Sequence, residues 1–181
     1  MNKILSFTCL VLLFASCNNA EQKTQVSSTN TSAHPAKTPA DLPYTASYSS
    51  NWSTNVSDAD LKMVLLTYKD WERGNMKGLG AAMADTVMID MPSGEHVTLS
   101  NADLMKRWTK SRDSLSSVAI DMQGWHKMYA TDKKDGYIVA WYKETDTYKT
   151  GKVDSAYYHD INQVKDGNIV WNSQFKRPAK P

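Results

Sequence analysis

The chain has 181 residues, with 21 Lys and Arg against 19 Asp and Glu, for a formal net charge of +2. That balance, with no basic stripe in the sequence, gives nucleic acid nothing to hold. A hydrophobic fraction of 41% and a charged fraction of 22% exclude wholesale disorder and leave room for one ordinary domain. The two cysteines, Cys9 and Cys17, both lie near the start, so the remainder carries neither a disulfide nor a thiolate metal site.

Met1-Asn2-Lys3 supplies a short positive start, Ile4 to Phe14 is an apolar run, and Ala15-Ser16 are small. Residues 1–16 therefore read as a signal peptide, whose apolar run is too short to span a bilayer. Phe14-Ala15-Ser16-Cys17 resembles the lipobox of bacterial lipoproteins, with Phe14 standing where leucine is usual. The resemblance implies that Cys17 is acylated and becomes the mature N-terminus. The chain would then be lipid-anchored in a bacterial cell envelope, at the outer membrane, with its domain in the periplasm or at the cell surface. Residues 17–50 are rich in Ser, Thr, Asn, Gln, Ala and Pro. They cannot offset their ordering entropy by burial and read as a flexible tether.

Residues 51–181 read as the folded domain. Ser57-Asp58-Ala59-Asp60 is a capping-box pattern, and Leu61, Val64, Leu65, Tyr68 and Trp71 follow at helical spacing up to Gly74 as the terminal glycine. Asn75 caps a short helix through about Ala84. Thr86–Met91 reads as a strand, turned by Pro92-Ser93-Gly94 toward Val97. Ser100-Asn101-Ala102-Asp103 repeats the capping grammar, with Leu104, Met105 and Trp108 on the apolar face and Lys106, Arg107, Lys110 and Arg112 on the wet one. Four long strands follow, at about 117–130, 137–148, 152–165 and 168–176. Asp135-Gly136, Thr150-Gly151 and Asp166-Gly167 stand between them as turns.

Several short pieces in this order resemble the NTF2-like, or SnoaL-like, superfamily. They are Trp71-Glu72-Arg73-Gly74-Asn75, then Met83-Ala84-Asp85-Thr86-Val87-Met88-Ile89-Asp90, then Pro92-Ser93-Gly94. The closing hairpin Val164-Lys165-Asp166-Gly167-Asn168-Ile169-Val170 completes the set. The resemblance implies an α+β cone, a curved antiparallel or mixed sheet wrapped round three helices from the N-terminal half, with a pocket inside. It also implies site residues. In ketosteroid isomerases of this superfamily an Asp at the place of Asp90 is the general base. Their second acid lies at the place of Asp160, whereas their oxyanion-hole tyrosine falls at Thr67, where this chain departs from the pattern and has its tyrosine next door at Tyr68. Dimers through the outer sheet face are common in the superfamily.

The residues themselves leave two questions open. His159 and Asp160 are strand neighbours, so one of them enters the pocket and the other does not. Tyr68, Trp71, Trp108, Trp125, Trp141 and Trp171 either line a pocket for a flat apolar ligand or fill the core. Tyr137, Val139 and Trp141 make the second face of their strand apolar, which suits a partner subunit. The scattered histidines give no metal spacing, and no phosphate or dinucleotide motif appears, so neither metal nor cofactor is expected. The first expectation is a tethered domain binding a small apolar or aromatic molecule. A cofactor-independent acid–base enzyme (isomerase, cyclase or dehydratase-like) using Asp90 is the alternative, and an interaction protein with a filled cone is the third.

Overall fold

A computed structural model describes residues 41–179; the expected signal peptide, Cys17 and the tether up to residue 40 lie outside them. The elements are β1 (Trp52–Ser53), α1 (Asp58–Arg73), α2 (Met76–Ala81), β2 (Met83–Asp90), β3 (His96–Ser100) and α3 (Asn101–Arg112). Four long strands follow, β4 (Leu115–Ala130), β5 (Asp135–Tyr148), β6 (Val153–Lys165) and β7 (Asn168–Pro178).

Both capped helices start where the side-chain oxygens require. Ser57 is extended, accepts the Asp60 N–H at 3.0 Å and donates its hydroxyl proton to Asp60 Oδ2 at 2.7 Å. Ser100 does the same for Asp103, at 3.1 and 2.7 Å. Each cap satisfies an amide that has no partner inside its helix. Gly74 ends α1 in the left-handed region at φ 68°, which a side chain would resist.

The second helix stops at Ala81, short of the Ala84 that the sequence predicts, because β2 already begins at Met83. There the Ala82 carbonyl accepts the Ile169 N–H at 2.8 Å and Met83 pairs with Ile169 of β7. Asp135-Gly136 is not a turn either. The chain reverses through residues 131–134, with Lys134 at φ 60°, and Asp135 opens β5. Gly136 is needed for closeness instead, since a Cβ there would stand 3.3 Å from Val164 Cγ2. Asp166-Gly167 does turn the chain, with positive φ at both residues, as a tight hairpin of the right twist demands.

The sheet runs β1-β4-β5-β6-β7-β2-β3, antiparallel except where β2 lies parallel to β7. Its concave face takes the helices. Val64, Leu104, Val87, Ile89, Ile138 and Ile169 are fully buried between them, each contributing about 1.5–3 kcal/mol of burial free energy. Ile138, Ala140 and Tyr142 face this core, which fixes the parity of the whole of β5 and, through its register, of β6 and β7. Arg112, on the wet face by helical spacing, instead turns back. Its guanidinium donates to the Trp71 and Glu72 carbonyls at 2.9 Å each, tying the end of α1 to the end of α3. A cation suits that spot, where the last carbonyls of α1 gather negative potential.

Candidate functional site

The strands' period of two places a set of side chains on the concave face. From β5 come Tyr142, Glu144 and Asp146, from β6 Tyr158, Asp160 and Asn162, and from β7 Asn172 and Gln174. With Tyr68 and Trp71 of α1 and Trp108 of α3 they line an open cavity of about 430 Å³. The cone is therefore not filled by its own side chains.

Asp160 lies on the cavity floor at 4% exposure. Tyr68 and Tyr142 donate their hydroxyl protons to its Oδ2, at 3.2 and 3.0 Å. Behind Tyr68 stands Asn162, donating to the Tyr68 oxygen at 3.2 Å, and behind that Asn172, donating to Asn162 Oδ1 at 3.0 Å. Behind Tyr142 stands Gln174, donating to its oxygen at 3.3 Å. Two donor chains thus end on one carboxylate oxygen, while Asp160 Oδ1 is buried without a protein partner. Burial pushes Asp160 up to about 7, with Tyr142, Gln174 and Tyr68 holding it from rising further. Burial also pushes Glu144 up to about 8, helped by the nearby Asp146 and Asp160 charges and opposed by the Trp71 indole. Asp146 is raised for the same first reason, and its Oδ1 too is buried without a partner. Tyr68 and Tyr142 are held well above the usual phenol value by burial and by Asp160, so both stay protonated as donors. Tyr142 packs on Tyr68 edge-on, at 4.9 Å between ring centres, and stacks on Tyr158 at 5.3 Å.

Of the residues expected from sequence, the structure brings Tyr68, Trp71, Trp108 and Asp160 together and sends Asp90, His159, Trp125, Trp141 and Trp171 elsewhere. Asp90 is the chief correction. Ile89 points into the cavity, so Asp90 points out of it, with its side chain 35% exposed. There it accepts from His96 on Oδ1 and from the Trp171 indole on Oδ2 at 2.8 Å. The His96 bond holds its carboxyl below the usual range, against burial and with Trp171 helping. A carboxylate satisfied in this way is a poor proton acceptor at neutral pH. His159 is the second correction. Asp160 takes the inward parity, so His159 lies on the convex face between Trp141, edge-on at 5.9 Å, and Phe175 at 6.5 Å. Trp141 shares that face, 40% exposed, with its ring lying over Gly124. Trp125 pairs with Ala140 and so shares the concave face, but beyond α1. It is 49% exposed and lines a separate groove of about 420 Å³ with Leu61, Leu65, Leu66, Ile120 and Met122.

Sequence reasoning missed Glu144 and Asp146. Their signal was present as acids alternating with Tyr142 and Tyr148 in phase with buried Ile138 and Ala140. Polar residues at core-facing strand positions mark a lined cavity rather than a packed core. Among the described residues no group of three or more His, Cys, Asp or Glu is placed to hold a metal ion. No helix among them is long and apolar enough to cross a membrane.

No protein-family model matches the sequence, and no curated protein matches it significantly. Solved structures do. An LEH-like epoxide hydrolase of M. tuberculosis superposes with a TM-score of 0.56 at 7% identity, over 66% of this chain and 83% of that one. AusH from Aspergillus nidulans gives 0.55 at 14%, over 69% and 88%. An NTF-2 like protein of unknown function from Burkholderia xenovorans gives 0.51 at 14%, over 68% and 87%. The chain has the NTF2-like fold. In the NTF2-like cone seen here, three helices close one side of a bent mixed sheet and leave Asp160 at the floor of the hollow. At these identities the likeness carries the fold and no activity.

Proposed function

We propose that the protein is a membrane-tethered NTF2-like domain that holds a small molecule with an apolar or aromatic body in its cavity. The observation that carries this is the unpartnered Oδ1 of Asp160 on the floor of an open cavity. A buried polar atom without a partner costs roughly 1–3 kcal/mol, and a ligand that reaches it recovers that cost. A volume of about 430 Å³ lies in the range of small-ligand sites, and Trp71, Trp108, Tyr142 and Tyr158 offer it flat walls. In the same proposal Cys17 is the acylated anchor, and the convex face around Trp141 and the 57%-exposed Phe175 is the homodimer contact. The test is native mass spectrometry of the full chain from its own cell. Retained mass beyond the lipid, lost in Asp160→Asn, supports the reading. Protein carrying no small molecule, in a cavity that also takes up none added, ends it.

A second reading is favoured by one observation. Asp160, pushed to about 7, can both give and take a proton near neutrality, and Tyr68 and Tyr142 stand beside it as donors for developing charge. That is the equipment of a cofactor-independent acid–base enzyme, isomerase, cyclase or dehydratase-like, with Asp160 rather than Asp90 at its centre. Turnover of the captured molecule, abolished by Asp160→Asn and unaffected by Asp90→Asn, would establish it.

A further inference from the structure

The concave face is ordered in rows across the sheet. Ala140, Asp160 and Gln174 make one row, Tyr142, Tyr158 and Lys176 the next, and Glu144 pairs with Ala156 in the third. The stacked Tyr142–Tyr158 pair is therefore flanked by a carboxyl on either side, with Asp146 one row beyond Glu144.

The cations nearby are already engaged. Arg107 forks onto Glu95 at 3.1 and 2.7 Å, Arg112 is spent on backbone carbonyls, and Lys176 stands 3.7 Å from Asp154. Among the described residues Glu144, Asp146 and Asp160 enter no ion pair. Three carboxyls facing one cavity, with Lys176 at its wall as the cation that eases Asp146 but no direct ion pair to any of them, are costly to bury. The free oxygens of Asp146 and of the nine-tenths-buried Asp160 show where the deficit lies. Lys176 also indicates what suits the place, since its ammonium sits 5.5 Å from the centre of the Tyr158 ring. A cation over an aromatic face, with a carboxylate beside it, is a strongly attractive arrangement once water is excluded.

We propose that the cavity selects an organic cation, a protonated amine on an apolar or aromatic body, whose charged head lies among Glu144, Asp146 and Asp160, beside the Tyr142–Tyr158 pair. This rests on the small-molecule reading above and narrows it to one ligand chemistry. The body of the ligand then lies toward Trp71 and Trp108, and the head adds a second positive charge to the one that Lys176 brings to the cavity wall.

The test is calorimetric titration of the full chain at neutral pH with three probes of one shape, phenethylamine, phenethyl alcohol and phenylacetate. The amine is expected to bind about tenfold more tightly than the alcohol. Phenylacetate is expected to bind weakest. Glu144→Gln and Asp146→Asn, which keep side-chain shape, should each erase most of the amine's advantage over the alcohol measured on the same variant. Alcohol binding as tight as amine binding overturns the cationic ligand and leaves the cavity reading standing. Failure of all three probes overturns both. The wild-type comparison decides the matter even where a variant does not fold.

Discussion

Asp90 and Asp160 are the same chemical group at the two ends of one logic. Asp90 ends a strand at the rim, takes an imidazole and an indole as donors, and has its carboxyl lowered. Asp160 sits on the cavity floor, takes two phenols on one oxygen, and has its carboxyl raised because burial outweighs those donors. The number of donors does not separate them, since Asp160 has no fewer side-chain partners than Asp90. Solvent does, together with the cationic form that an imidazole can adopt and a phenol cannot.

The largest effect expected from this contrast is on stability against pH. Asp160 has a folded value of about 7 and Glu144 of about 8, both above their unfolded values. Their contribution is thus fully present below about pH 4 and is lost as pH rises through about 7 to 8, for a fall on the order of a few kcal/mol. Asp160→Asn should remove a large part of that slope in denaturant unfolding measured across the range, and an unchanged slope would break the comparison. Next in size is ligand affinity. Asp160→Asn should weaken capture of the cavity's ligand by about tenfold, a change of roughly 1.4 kcal/mol, while Asp90→Asn leaves it within about twofold. Equal losses in a binding titration would put both acids in one site.

A smaller effect sharpens the picture of the donor chains. Tyr142→Phe removes one phenol from Asp160 Oδ2, at a cost of about 1 kcal/mol, and should move the acid's midpoint further up in a carboxyl-resolved NMR titration. The smallest belongs to the rim. His96→Ala should let Asp90 rise toward the ordinary carboxylate value. Because Asp90 is lowered, its contribution is present above the unfolded value near about 4 and fades as pH falls below it, so the loss shows only in acid. The same titration, read at Asp90, checks the sign.

The helices were legible because their signals are local. Ser57, Ser100 and Gly74 announce their ends in three or four residues, and the structure uses each of them so. Strand order was legible from the same kind of punctuation at Asp166-Gly167. Parity was not. Whether His159 or Asp160 turns inward depends on the register with β5, and that is set by Ile138 and Ala140 meeting helices far away in sequence. Asp90 misled for the same reason, one residue out of phase with Ile89. Asp135-Gly136 misled because a glycine that permits close packing and a glycine that permits a turn look alike in sequence. Glu144 and Asp146 lay in phase with the core residues, and only the hollow in front of them explains why two acids occupy that phase.

The parallel pairing of β2 with β7 carries a consequence for how the chain assembles. Met88 meets Trp171 and Asp90 meets Ser173, so β2, already paired with β3 on one edge, completes its other edge only with the domain's last strand. Closing so wide a loop is entropically late and slow. A chain lacking β7 can pair one edge of β2 with β3 but has nothing to zip its other edge onto. The molecule should stay open and threadable until its tail is free, and clipping that tail should unravel it rather than merely shorten it.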